Sequence, residues 1–388
     1  MNPAVAIPAF SRPAALGRLL DSVAAADVPS GTTLLISVDR PVEERHRAGN
    51  AAVLELARRY QWPHGPKEVV AQSAHLGLVG NVFFCGAAAL TYGATVLLED
   101  DLIVSARFHA YARQALEAFS EDDRIAGISL NSPWFNGFTH QPFLPLPDDS
   151  DVFFLQLGTP QGQVYTAAQW AAFAAWQATA APDAGAAAVH DLFAAFPADD
   201  WLGTKARYLA DARKYYVYPR ESLTTAAGDA GTHFDHATAF FQVALQELRR
   251  DFRFVSLDTA VAVYDGFYEL QPERLNRLTN RLGDQPYDVD LYATKPPRLL
   301  RAGHTLTTRP CRRAAQTFGR ALRPLEANVI AGVPGDGITL ARQEDVDLRP
   351  LAARAARHAN DLYFARYRKT GRASRLRDAF AAWLYRKR

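Results

Sequence analysis

The stretch TVLLEDDLIV, residues 95–104, runs four residues suited to a buried strand directly into Glu99, Asp100 and Asp101, and apolar residues resume at Leu102. Three adjacent carboxylates repel one another at neutral pH, so a core strand that ends on them needs a use for their charge. Two uses are open. The carboxylates can cap the next element, since Asp at a helix N-terminus is ordinary. Alternatively they can hold a hard divalent cation, which takes oxygen ligands.

Upstream of this stretch, strands and helices alternate. Residues 3–10, PAVAIPAF, suit a short buried strand. The following SRPAALGRLLDSVAAA suits a helix, with Ser11 or Arg12 at its start, Pro13 in its first turn and Leu16, Leu19, Leu20 and Val23 near a 3.6-residue period. Strands are expected at 32–39, at 68–72 and at 95–100, and helices at 42–60 and 77–93. Strands separated by helices of this length imply right-handed crossovers and an α/β, Rossmann-like, mostly parallel sheet flanked by helices.

Further along, 124–130, 151–158 and 215–220 read as strands, and 167–180 and 199–213 as helices. Residues 131–151, NSPWFNGFTHQPFLPLPDDSD, are rich in proline and aromatic side chains, which suits a binding loop. Residues 224–235 read as a Gly-containing loop. Past 295 the alternation stops, and the Arg/Ala-rich stretches 296–324 and 348–388 are expected to be helical. The expected organisation is a catalytic-type domain over 1–295 and a basic, mainly helical appendage over 296–388.

Charge divides at the same place. Residues 295–388 hold 21 Lys+Arg against 7 Asp+Glu, a net +14, and residues 1–294 hold 22 against 34, a net −12. With 388 residues, 48% of them hydrophobic, the chain has material for a large core, and mean hydropathy of −0.16 fits a soluble protein. Cys85 and Cys311 are its two cysteines, too few for a disulfide framework or a cysteine zinc site. The start, MNPAVAIPAF, has no basic segment followed by an apolar run, and no stretch reaches the roughly 18 apolar residues of a spanning helix. A cytoplasmic globular protein is expected.

In an open α/β sheet, ligands sit at the carboxyl ends of the strands. Residues 10–12, Asp39 and the triplet 99–101 all stand at such ends, so one crevice can hold them. Singly, Asp39 reads as a turn or cap residue and Arg12 as a surface cation. Jointly, an Arg and adjacent carboxylates suit a nucleotide–metal complex, in which the cation relieves the repulsion and neutralises a diphosphate leaving group. No GxxxxGK[ST] or GxGxxG loop is present to cradle phosphates.

The ordered set AIPAFSRPAALGRLL (6–20), ISVDR (36–40), HLGLVGN (75–81) and VLLEDDL (96–102) resembles glycosyltransferases of the GT-A fold. It is most similar to the Golgi N-acetylglucosaminyltransferase I type, where an EDD triplet replaces the usual DXD, and bacterial family 2-like sugar transferases fit equally. FPADDWLG (196–203) and YPRESLTTAAGDAGTHF (218–234) continue the likeness, which spans about residues 3–270.

The resemblance implies that Asp101 binds Mn²⁺ (or Mg²⁺), that Glu99 and Asp100 contact the ribose and uracil side, that Asp39 accepts from uracil, and that Arg12 pairs with phosphate. It implies Asp199 as general base with Asp200 as its substitute, and His233 against phosphate or metal. Two departures stand out: no histidine precedes the triplet on its helix, and QLGTPQG (156–162) replaces the family's sugar-selecting segment. Without the family context, DDW also reads as a helix cap, and His233 and His236 as ordinary loop histidines.

The implied activity is inverting transfer of a sugar, GlcNAc by analogy, from a UDP-sugar to a glycan or lipid-linked acceptor. The tail RASRLRDAFAAWLYRKR (372–388) spaces Leu376, Phe380, Trp383 and Leu384 helically among arginines. It suits either docking on the catalytic domain or peripheral contact with an anionic membrane at its inner face. Nucleic-acid binding lacks a reading motif. The rivals are a nucleotidyltransferase, which would carry a Gly/Lys/Arg-rich loop after the first strand, and a catalytically silent glycan-binding or scaffold relative in surface-polysaccharide assembly.

Overall fold

The computed structural model describes residues 1–181, 183–197, 200–229 and 236–349. The first seven elements follow the expected alternation: β1 (Ala4–Ala9), α1 (Pro13–Ala25), β2 (Leu34–Val38), α2 (Glu44–Arg59), β3 (Lys67–Ala71), α3 (Gly77–Tyr92) and β4 (Ala94–Leu97). Next come β5 (Leu102–Val104), α4 (Phe108–Phe119), β6 (Ile125–Ser129), β7 (Val152–Leu155), β8 (Gln163–Thr166), α5 (Ala167–Thr179), α6 (Trp201–Asp211), β9 (Tyr215–Pro219) and β10 (Thr224–Ala226). The described chain closes with β11 (Val263–Tyr264), α7 (Pro272–Asn276), β12 (Tyr287–Asp290), β13 (His304–Thr307), β14 (Gln316–Phe318), α8 (Glu326–Ala331) and β15 (Ile338–Arg342).

The main sheet has the order β11-β7-β9-β6-β8-β4-β1-β2-β3. Strands β1 to β4, β6 and β9 run one way, and β7, β8 and β11 run the other. The sheet is therefore mixed and mostly parallel. All residues of β1, β2 and β4 are buried, as expected where helices cover both faces of a sheet. The reversed strand β8 lies in a segment too short to show a period, and it passes at once into α5 through a Thr166/Gln169 capping box.

Residues 296–349 correct the expected helical appendage. β13 pairs with β12 in parallel and with β15 in antiparallel, and β14 completes a four-stranded sheet, so hydrogen-bonded partners lie on both sides of position 295. Arginine and alanine dominate the composition here. The segments themselves, HTLT and QTF, are threonine- and aromatic-bearing, and Pro310, Gly319, Pro324 and Pro334 interrupt any long helix. Leu306, Phe318, Val329 and Leu340 share one buried cluster with Phe153 and Tyr264 of the main body. A buried Asp290–Arg309 pair at 2.6 Å and a Lys295–Asp265 pair at 2.5 Å lie at the junction. The tail 350–388, on which the membrane expectation rested, lies outside the described residues. Among the described residues no helix is long and apolar enough to cross a membrane.

Glu326, on α8, is buried in this junction and accepts a hydrogen bond from the Tyr264 hydroxyl at 3.1 Å. Burial pushes its carboxyl from the ordinary 4.5 up to about 7. The folded state therefore holds a proton that the unfolded chain releases, and stability falls as pH rises from about 4.5 to about 7. Glu326→Gln keeps an acceptor for Tyr264 without the titration. It is expected to leave the unfolding midpoint nearly unchanged at pH 4 and to raise it at pH 8, by roughly 3 kcal/mol of stability.

Candidate functional site

The triplet caps no helix. Glu99 accepts a backbone hydrogen bond from Leu102 at 3.2 Å, which turns the chain from β4 into β5, and α4 begins only at Phe108. Beyond the turn, β5 pairs with β10, and the Ala227 amide donates to the Asp101 carbonyl at 2.9 Å. Residues 227–229, which follow β10, therefore lie beside the turn that carries the carboxylates, and an Arg18–Asp229 ion pair ties them to α1.

Arg12 comes from the neighbouring strand end. It stands immediately before Pro13 at the head of α1, where its side chain makes no capping hydrogen bond. The guanidinium instead reaches the triplet: Nη1 donates to Asp101 at 3.0 Å, and Nη2 pairs with Asp100. Asp100 is buried, whereas Asp101 keeps 28% of its side-chain surface. Burial, then repulsion from Asp101 and Asp100, pushes Glu99 up to about 8. Burial also raises Asp100, to about 6, against the pull of Arg12. One guanidinium among three carboxylates leaves the pocket short of positive charge.

Asp39 stands at the carboxyl end of β2, as expected, but its carboxylate is occupied by backbone. Its oxygens accept from the amides of Arg40 (2.8 Å), Leu76 (2.8 Å) and Gly77 (3.0 Å), and His75 Nδ1 lies 3.0 Å away. It anchors the start of α3 to β2, the cap-like use that the residue has on its own. Among the described residues no hydrogen bond or ion pair joins it to Arg12 or the triplet.

Two buried asparagines, passed over in the sequence, hold these strand ends in place. Asn50 of α2 donates to the carbonyls of Phe10 (2.7 Å) and Asp39 (2.8 Å), and Asn81 of α3 donates to those of Ala9 (3.2 Å) and Ser37 (3.1 Å). Their signal was available: each is an amide on the buried face of a helix, and such groups are kept when hydrogen-bonded. Gly49 contributes too, because a Cβ there would lie 2.5 Å from the Ser11 carbonyl oxygen. Gly49→Ala is expected to displace the 11–12 backbone and to lower the unfolding midpoint, by roughly 1–3 kcal/mol of stability, since the added methyl meets a backbone carbonyl. Thermal unfolding of the variant would measure this.

Asp200 is the N-cap of α6 and accepts from the Gly203 amide at 2.8 Å. That is the capping use that DDW also permitted. Asp199 and His233 lie outside the described residues. Among the described residues no three His, Cys, Asp or Glu side chains form a ready-made metal cage. The oxygen-only donors of the triplet, with their surplus negative charge, suit a hard cation that completes its shell from a ligand.

No protein-family profile matches the chain, and no curated protein does. Among solved structures it is similar to S. aureus TarS 1–349, at 14% identity over 59% of this chain and 61% of that one, with a TM-score of 0.36. It is also similar to the UTP-bound UGPase of Acinetobacter baumannii (11% identity, 58% and 89% covered, TM-score 0.30). A third likeness is to the bifunctional glycosyltransferase WbbM (12% identity, 44% and 32% covered, TM-score 0.28). The chain thus spans less than two thirds of the TarS chain, and superpositions this loose add nothing to what its own residues establish.

Proposed function

We propose that the chain is a metal-dependent, inverting glycosyltransferase of the GT-A type that uses a UDP-sugar donor. The observation that carries this reading is the meeting of Arg12 with Asp100 and Asp101 where β1 and β4 end, next to Glu99 in the same triplet. Arg12 is assigned to the diphosphate, an anion that a guanidinium pairs with well. Asp101, the more exposed partner of Arg12, would hold Mn²⁺ or Mg²⁺ together with ligand oxygens. A bound cation of this kind stabilises charge on a departing diphosphate. Glu99 and Asp100 are assigned to the ribose and uracil side. The general base is assigned to Asp199, since Asp200 is engaged as a cap; such a base contributes about 10²–10⁴-fold. A GlcNAc donor sugar, a glycan or lipid-linked acceptor and a His233 contact to phosphate belong to the same proposal.

Thermal unfolding against nucleoside diphosphates and UDP-sugars, with Mn²⁺ or with EDTA, tests it. A ligand that binds only the folded state raises the midpoint. A Mn²⁺-dependent rise with UDP species supports the proposal, and the best sugar identifies the donor for transfer assays. A second reading, in which Arg12 and the carboxylates form a purely structural ion pair, is favoured by their direct contact. It predicts no response to any nucleotide.

A further inference from the structure

We propose that the cleft between the 131–145 loop and the segment 242–248 binds a neutral oligosaccharide portion of the acceptor; this rests on the glycosyl-transfer reading. The cleft has a volume of about 850 Å³. One wall comes from the proline- and aromatic-rich loop that the sequence marks for binding, with Pro133, the half-exposed Trp134, Leu144 and Pro145. Val243 and Leu248 face it from the other side.

Its position ties it to the carboxylates. Ser132 follows β6 and Arg220 follows β9, and both strands run in the direction of β1 and β4, so the cleft opens on the same carboxyl edge of the sheet. At its near end, the Gln242 side chain donates to the Ala227 carbonyl at 3.2 Å, and the Ala227 amide donates to the Asp101 carbonyl. From Ala227 back to Ser222 the chain is largely extended, about 16 Å at the rise of a strand. That length accommodates several linked sugar rings, leading away from the carboxylates.

The chemistry of the walls selects the ligand. Sugar rings present apolar C–H faces and a rim of hydroxyls. They call for an aromatic or proline surface together with a planar hydrogen-bonding group, here Trp134 and the prolines with Gln242. Gln246 is held within the protein, its oxygen accepting from the Leu248 and Arg249 amides and its nitrogen donating to Glu221. Two of the three charged side chains lining the cleft are paired within the protein: Arg220 with Asp148 at 2.8 Å, and Glu221 with Arg249 at 3.6 Å. Glu247 accepts from the Ala106 amide at 2.9 Å. The cleft therefore offers dipoles and apolar faces, which suit an uncharged saccharide better than a phosphate.

The test is calorimetric titration of the full chain with maltotetraose, chitotetraose and mannotetraose, with their monosaccharides, and with decyl phosphate. At least one tetrasaccharide is expected to bind more tightly than its monosaccharide. Trp134→Ala is expected to weaken that binding about tenfold, the weight of one lost stacking surface. Gln242→Ala should weaken it as well. Trp134→Ala also loses the hydrogen bond from its indole to the Phe240 carbonyl at 2.9 Å, so it should lower the unfolding midpoint somewhat, but both variants should stay folded and keep the UDP response. Binding indifferent to both substitutions, no binding of any tetrasaccharide, or binding of decyl phosphate alone would overturn the proposal, the last assigning the cleft to a lipid tail. If UDP has no effect on the midpoint while tetrasaccharide binding depends on Trp134, the transfer reading fails and the cleft remains a glycan site.

Discussion

Asp101→Ala is expected to lower kcat for sugar transfer about 10³-fold or more and to abolish the Mn²⁺-dependent response to UDP species, because it removes the carboxylate assigned to the cation. The side chain also accepts from Arg12 at 3.0 Å, so the alanine variant removes two interactions together. Asp101→Asn separates them. An amide still accepts from Arg12 but is a far poorer partner for a cation, so the asparagine variant should be as inactive as the alanine one while unfolding at the wild-type midpoint. If Asp101 served only as a partner for Arg12, the asparagine variant would keep most activity. Steady-state transfer kinetics together with thermal unfolding of both variants decide between the two. The fold around the substitution should tolerate it, since the turn is held by backbone groups, the Leu102 amide on Glu99 and the Ala227 amide on Asp101.

The sequence was legible over its first hundred residues, where segments alternate with a clear period, but α4 (Phe108–Phe119), whose apolar residues also recur helically, was passed over. β1 to β4 and α1 to α3 fall close to where apolar spacing, Pro13 and the strand-ending carboxylates put them. β5, β8 and β10 were not legible. Each has three or four residues, and each owes its conformation to a partner distant in sequence, as β10 does to β5. The sheet over 287–342 was hidden behind its arginines, because composition averages over segments whose pairing is set by tertiary contact. At the site, placement was legible but engagement was not. Arg12 and the triplet meet as the strand ends implied, whereas Asp39 sits at the expected edge with its oxygens taken by the amides that start α3. Sequence position tells which edge a carboxylate occupies; it does not tell which backbone groups have already claimed it.

Lys205→Met is expected to stabilise the protein by roughly 2–4 kcal/mol at neutral pH, the gain seen when buried ionic groups yield to packed apolar ones. Lys205, on α6, is buried, and its Nζ has no hydrogen-bond partner among the described residues. Five rings enclose it: Nζ lies 3.4 Å from the Phe173 centroid, 4.6 Å from Tyr165, 4.9 Å from Trp170, 5.2 Å from Trp201 and 6.0 Å from Tyr208. Two effects oppose each other. The ring faces attract an ammonium, by about 2 kcal/mol in desolvated settings. Loss of water disfavours it by more, and with no acceptor in place burial wins, holding the amine well below its ordinary 10.5. The unfolded chain therefore binds a proton that the folded chain resists, and stability gains from rising pH between the folded value and 10.5. Burial pushes the adjacent Tyr165 and Tyr208 hydroxyls up, Tyr208 to about 12, so neither ionises inside that window. Denaturant unfolding between pH 7 and 10 should show the methionine variant's advantage shrinking as pH rises. An advantage that grew with pH would mean that the rings stabilise the cation more than burial opposes it, and the assigned direction would be reversed.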